Sequence, residues 1–109
     1  MGRSQRHMLE YQGLMADGRF KPRASALPTR TGTVTVGQTQ TGTNATFTGS
    51  GTVTTTRAWV RNNDEISGQT GATYALAAAD QGKRVRFRNK ATNLMGTTIL
   101  DSLPTGVVP

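Results

Sequence analysis

Cysteine is absent from this 109-residue chain, so neither a disulfide framework nor a thiolate metal site can form. Histidine is nearly absent too. His7 is the only one, and it stands far in sequence from any acidic pair, which leaves a nucleophile–base–acid arrangement without its base. The six carboxylates are scattered singly or sit in the turn pair Asp64-Glu65; they are too few and too irregularly spaced for a hard-cation cage. The glycines fall in turn clusters rather than in a phosphate-cradling loop between strand and helix. No catalytic, metal or cofactor site is therefore expected. Long apolar runs are also missing, so no membrane span is expected, and the first residues lack the apolar core of a secretory signal.

Aromatic residues make up 6% of the chain, with a single tryptophan in the run Arg57-Ala58-Trp59-Val60-Arg61. A large aromatic in a strand-like run needs chain on both sides to cover it, which points to two packed layers. The hydrophobic fraction is only 34%, because threonine takes many strand positions that larger β-branched residues would otherwise hold. That composition suits one thin β domain; the length leaves no room for two cores.

Residues 1–30 differ from the rest. Arg3, Arg6, Arg19, Lys21, Arg23 and Arg30 stand against Glu10 and Asp17, giving this segment +4 of the chain's +7. Met8, Leu9, Tyr11, Leu14 and Met15 could share a helical face after a Ser4 cap, but Gly13 interrupts it and Gly18 ends it. Pro22 and Pro28 then punctuate a stretch with little periodicity. An extended basic arm or linker over 1–30 is the expected state, with the β domain over 31–109.

Period-two alternation begins at Thr33-Val34-Thr35-Val36 and returns at Asn44 to Thr48, where Ala45 and Phe47 share a face. Thr52 to Thr56 extend a strand towards Trp59, and Asn62-Asn63-Asp64 close it with a turn. Glu65 to Ser67 and Ala72 to Leu76 supply further strands, the second with Tyr74 and Leu76 on one face. Ala77 to Gly82 form a tight corner. Lys83 to Thr92 is the longest strand candidate, with Val85, Phe87 and Ala91 on one face and Arg84, Arg86, Arg88 and Lys90 on the other. Thr97 to Leu100 complete the set, and the residues after Pro104 trail away. Seven or so antiparallel strands separated by turn signals predict a β-sandwich whose core holds Trp59, Tyr74, Val85 and Phe87.

In order, Trp59-Val60-Arg61, Ile66-Ser67-Gly68, Thr70 to Tyr74, Asp80-Gln81-Gly82 and Ala91-Thr92-Asn93 with Gly96 resemble bacterial and phage immunoglobulin-like domains over about residues 33–103. The resemblance implies an immunoglobulin-like β-sandwich, with Trp59 as the core aromatic of the third strand and Asp80 and Gly82 shaping a corner. Asn89 departs from it, an amide at an inward position that is usually apolar. Arg57 and Arg61 share the face of Trp59, so they must reach solvent at the sheet ends or a bulge must intervene.

Relatives of this kind occur on phage particles and on bacterial surfaces. The resemblance thus implies a non-enzymatic virion protein, made in the host cytoplasm and decorating the particle surface. Its partners would be a major capsid protein or other virion proteins on a symmetric lattice, and self-association is compatible with that layout. The candidate docking residues are Arg3, Arg6, Tyr11, Arg19, Phe20, Lys21 and Arg23 in the arm, and Arg84, Arg86, Arg88 and Lys90 on the basic strand face. Such a face is also what a solvated outer sheet looks like when Glu65 or Asp101 lies on a neighbouring strand. Two alternatives remain: a tail- or surface-associated adhesion module for host glycans, and a nucleic-acid binder, although the stripe lacks interleaved aromatics for stacking.

Overall fold

The computed structural model describes residues 19–109, and among these the architecture is all-β with antiparallel sheets. The strands are β1 (Arg23–Ala26), β2 (Thr29–Thr31), β3 (Thr39–Thr43), β4 (Thr46–Thr48), β5 (Thr54–Arg61), β6 (Asp64–Glu65), β7 (Thr73–Ala75), β8 (Val85–Asn93) and β9 (Gly96–Asp101). One 3-10 turn, Ala78–Asp80, joins β7 to β8. The largest sheet runs β6-β5-β8-β9. Facing it are a three-stranded sheet, β2-β3-β7, and a pair, β1-β4. Both layers contribute to one core, an arrangement compatible with a β-sandwich.

That core forms where the expected aromatics meet. Trp59 on β5 stacks on Tyr74 of β7 at 5.8 Å and tilts against Phe87 of β8 at 5.0 Å. Val85, Leu76 and Val108 complete the buried cluster. The indole N–H donates to Gly71 O at 3.0 Å, so the ring is buried without an orphaned donor. Phe87 lies directly on the backbone of β3: a Cβ at Gly42 would stand 2.4 Å from its ring. The sheets approach this closely only because position 42 carries no side chain.

The structure departs from expectation in four places. First, β-structure begins within the segment expected to be an arm. β1 pairs with β4 and β2 with β3, while Pro22 and Pro28 fall just outside the strands, where proline is tolerated. Second, Thr33 to Val36 are not a strand. They form the turn between β2 and β3, bracketed by Gly32 and Gly37 at positive φ, with Gln38 N–H donating to Thr35 O; Val34 and Val36 still pack against the core. Third, β3 had no apolar signature, because its inward positions are Gln40 and Gly42. Fourth, the chain after β9 does not trail away. Ser102, Thr105 and Val108 are buried at every third position, and their N–H groups donate to Phe87 O, Val85 O and Lys83 O.

The polar residues inside are paired. Asn89 Oδ1 accepts from Ala45 N–H at 2.7 Å, and its amide donates to Asn44 Oδ1 at 3.1 Å, which is how an amide fits an apolar position. The Thr54–Arg61 ladder with β8 is unbroken, so no bulge turns Arg57 or Arg61 away. Arg57 lies exposed and donates to Asn44, whereas Arg61 reaches a buried carboxylate.

Candidate interaction surfaces

The basic strand face is half neutralised. Arg88 forks onto Asp101, with Nε at 2.7 Å from Oδ1 and Nη2 at 3.1 Å from Oδ2, and its Nη1 reaches Glu65 at 3.2 Å. Lys90 Nζ lies 2.6 Å from the same Glu65. The cause is register: Asp101 on β9 stands opposite Arg88, and Glu65 on β6 lies beyond Ala58 and Val60 of β5 on the same outer face. The bond from Lys90 holds the Glu65 carboxyl below its usual range, against a smaller opposing push from burial, and Arg88 adds to the lowering. Asp101 in turn raises Arg88.

Arg84 and Arg86 have no carboxylate partner among the described residues. Arg84 precedes β8 and is exposed; Arg86 is half-buried opposite Val60. Of the four cations expected to act together, two are therefore occupied within the sheet. The free pair lies at the Val85 end of β8.

Of the expected arm residues, Arg3, Arg6 and Tyr11 lie outside the described residues, as does the Met8 to Met15 face. Phe20, Lys21 and Arg23 belong to the body. Phe20 N–H donates to Ser50 Oγ at 2.8 Å, and Phe20 O accepts from Asn93 Nδ2 at 2.9 Å. The Arg23 guanidinium sits 4.0 Å above the Phe20 ring, a cation–π contact that uses both residues locally. Arg19 also makes a contact of its own. Phe20 thus stands beside Asn93, at the opposite end of β8 from Arg84.

A buried polar network occupies the corner after β7. Asp80 accepts from Arg61 Nε at 2.6 Å, Tyr74 OH at 2.6 Å and Ala77 N–H at 2.7 Å. Burial pushes the Asp80 carboxyl up, but these donors together hold it below its ordinary value. The bond to Asp80 raises Arg61 in turn, and burial followed by the same carboxylate raises Tyr74. Every oxygen is satisfied inside the fold, so this is a structural brace with nothing left to offer a substrate. No group of three or more His, Asp or Glu residues placed to hold a metal occurs among the described residues.

One feature escaped the sequence. A cleft of about 490 Å³ opens between the link joining β1 to β2 and the chain leaving β9, lined by Leu27, Pro28, Thr29, Arg30, Asp101, Leu103 and Pro104. Leu27 and Leu103 stand on it 67% and 86% exposed. Arg30 pairs in register with Gly42 and so faces inward, where its Nη1 donates to Gln40 Oε1 at 2.6 Å. Among the described residues its Nε is buried with no hydrogen-bond partner and no carboxylate pairs with it, and burial lowers its pKa. The one signal available beforehand was the alternation Thr29-Arg30-Thr31.

Compared with family models, curated proteins and solved structures, the chain matches none.

Proposed function

We propose that this chain is a non-enzymatic, immunoglobulin-like virion protein that docks on a phage capsid lattice and braces it. The immunoglobulin-like part is supported by strand order. If β1 with β2 and β3 with β4 are each counted as one interrupted strand, seven strands result, three in one layer (β1/β2, β3/β4, β7) and four in the other (β6, β5, β8, β9).

The observation that carries the docking reading is the pair of arginines, Arg84 and Arg86, that has no carboxylate partner among the described residues. Phe20, at the N-terminal end of the described chain, stands beside Asn93, and Arg84 with Arg86 lies about 25 to 30 Å away at the Val85 end. A small domain with separated anchors can touch two neighbouring lattice subunits at once, and repeated contacts over a lattice add avidity and stabilise the assembled shell. Arginine suits carboxylates on such a lattice through paired N–H donors.

Co-sedimentation with phage capsids assembled without the protein tests this. Arg84→Ala/Arg86→Ala and Arg3→Ala/Arg6→Ala, each in the full chain, should weaken capsid binding separately and more than additively when combined. Unchanged binding by the combined variant would sink the reading. So would salt-dependent binding to arbitrary DNA with comparable affinity, which would favour a nucleic-acid partner.

A further inference from the structure

A sheet edge with free backbone groups is a template for another strand unless it is short, charged, bulged or covered. Most edges among the described residues are blunted. β6 has two residues, both acidic; β2, β4 and β7 have three each; and β1 breaks register between Ala24 and Ala26, with Pro22 and Pro28 beside it. β9 is different: it runs six residues, Gly96–Asp101, on an unbroken ladder with β8, without proline and with one charge, Asp101, at its end. The bond from Ser102 N–H to Phe87 O fixes the phase of that ladder, so Gly96, Thr98 and Leu100 turn their backbone groups to β8. Thr97, Ile99 and Asp101 turn theirs to the open edge, where no backbone partner meets them among the described residues. Their side chains lie on the outer face, and Ile99 is 52% exposed.

We infer that β9 pairs antiparallel with β9 of a second copy of this chain, about a two-fold axis at Ile99. Only a register centred there lets every outward residue bond at once: Ile99 with Ile99, and Thr97 of each copy with Asp101 of the other. The apolar surface has the same symmetry. Continued past the strand ends, the register brings Leu94, 91% exposed, and Met95 of each copy beside Leu103 and Pro104 of the other, so the most exposed large apolar side chains cover one another. Charge permits the approach although each copy carries +7, because the nearest cations of β8, Arg88 and Lys90, are already held by Asp101 and Glu65. Asp101 faces Thr97 rather than its own copy, so no like charges meet across the seam. The inference stands apart from the lattice reading, and its test contains no capsid.

Sedimentation of the full-length protein over a concentration series should show dimers, tightened by salt, which screens the repulsion between two basic chains. Ile99→Pro removes an N–H that β8 does not use, so Trp59 fluorescence and chemical denaturation should show the fold intact while the dimer weakens about tenfold or more. Because the chain has no cysteine, the register can be read directly. Under mild oxidation Ile99→Cys should cross-link two copies about tenfold faster than Thr97→Cys. Position 99 would lie about 5.5 Å from its own copy, within disulfide reach, and position 97 roughly 14 Å from its own. A one-chain mass at every concentration would overturn the inference; were the Ile99 amide then protected from hydrogen exchange, the edge would belong to a segment of the same molecule. Equal cross-linking rates at the two cysteines, or a dimer indifferent to Ile99→Pro, would overturn it as well.

Discussion

Two arginines point into this sandwich, and their surroundings are opposite. Arg61 meets the buried carboxylate of Asp80, which Tyr74 and the Ala77 N–H also grip, and its pKa rises. Arg30 meets the neutral amide of Gln40, leaves Nε without a partner among the described residues, and its pKa falls. The same residue type thus braces one corner and leaves another unfinished. What differs is whether the topology delivers a carboxylate. The 3-10 turn after β7 carries Asp80 inward to Arg61, whereas Asp101, which lines the Arg30 cleft, is held by Arg88 across the β8–β9 register.

The largest effect that would break this contrast is at the braced corner. Asp80→Asn leaves Arg61 charged and half-buried without its counter-ion, and should cost about 3 kcal/mol in chemical denaturation, the low end for a broken buried pair because Arg61 is partly exposed. The same variant tests the acid limb. The folded Asp80 pKa lies below its unfolded value, so its stabilisation is present above the ordinary carboxylate pKa and lost as pH falls through the depressed folded one. Unfolding midpoints should drop steeply below about pH 4 in the parent and less steeply in Asp80→Asn.

Next in size is Gly42→Ala, beside Arg30 in register. The added methyl must displace the Phe87 ring, and a melt should show a loss of about 1 to 3 kcal/mol. A neutral result would mean that the two sheets separate more easily than their contacts indicate. Smallest is Arg30→Leu. It strands only the Gln40 carbonyl while removing a desolvated cation, so the net cost should be about 1 kcal/mol. If Arg30→Leu proves as damaging as Asp80→Asn, the two corners are not different in kind.

The aromatic half of the core was legible in the sequence, and the polar half was not. β8 alternates strictly over nine residues, so Val85 and Phe87 could be assigned inward and the cations outward from spacing alone. β3 gave no such signal, since a glutamine and a glycine hold its inward positions. The segment from Ser102 to Val108 was hidden for another reason: its inward residues recur every third position around Pro104 and Gly106, a period that belongs to neither strand nor helix. Charge pairing on the outer face was foreseeable in kind, because Glu65 and Asp101 were the available acids. Which two cations they would occupy depended on cross-strand register. The cleft could not be foreseen at all, because it requires knowing that Arg30 shares the face of Gly42.

Asn89 has a consequence for how the first layer is kept in step. Its carbonyl oxygen holds the N–H of Ala45, the residue at the break between β3 and β4. Threonine-rich strands such as these give little apolar guidance on alignment, and a slip by one residue would swing Phe47 from the inner side to water. A single amide reaching across from the opposite sheet thus acts as an index mark for β4: only one alignment presents the Ala45 N–H to it. Where oily side chains are too sparse to choose the alignment, one well-placed hydrogen bond does so.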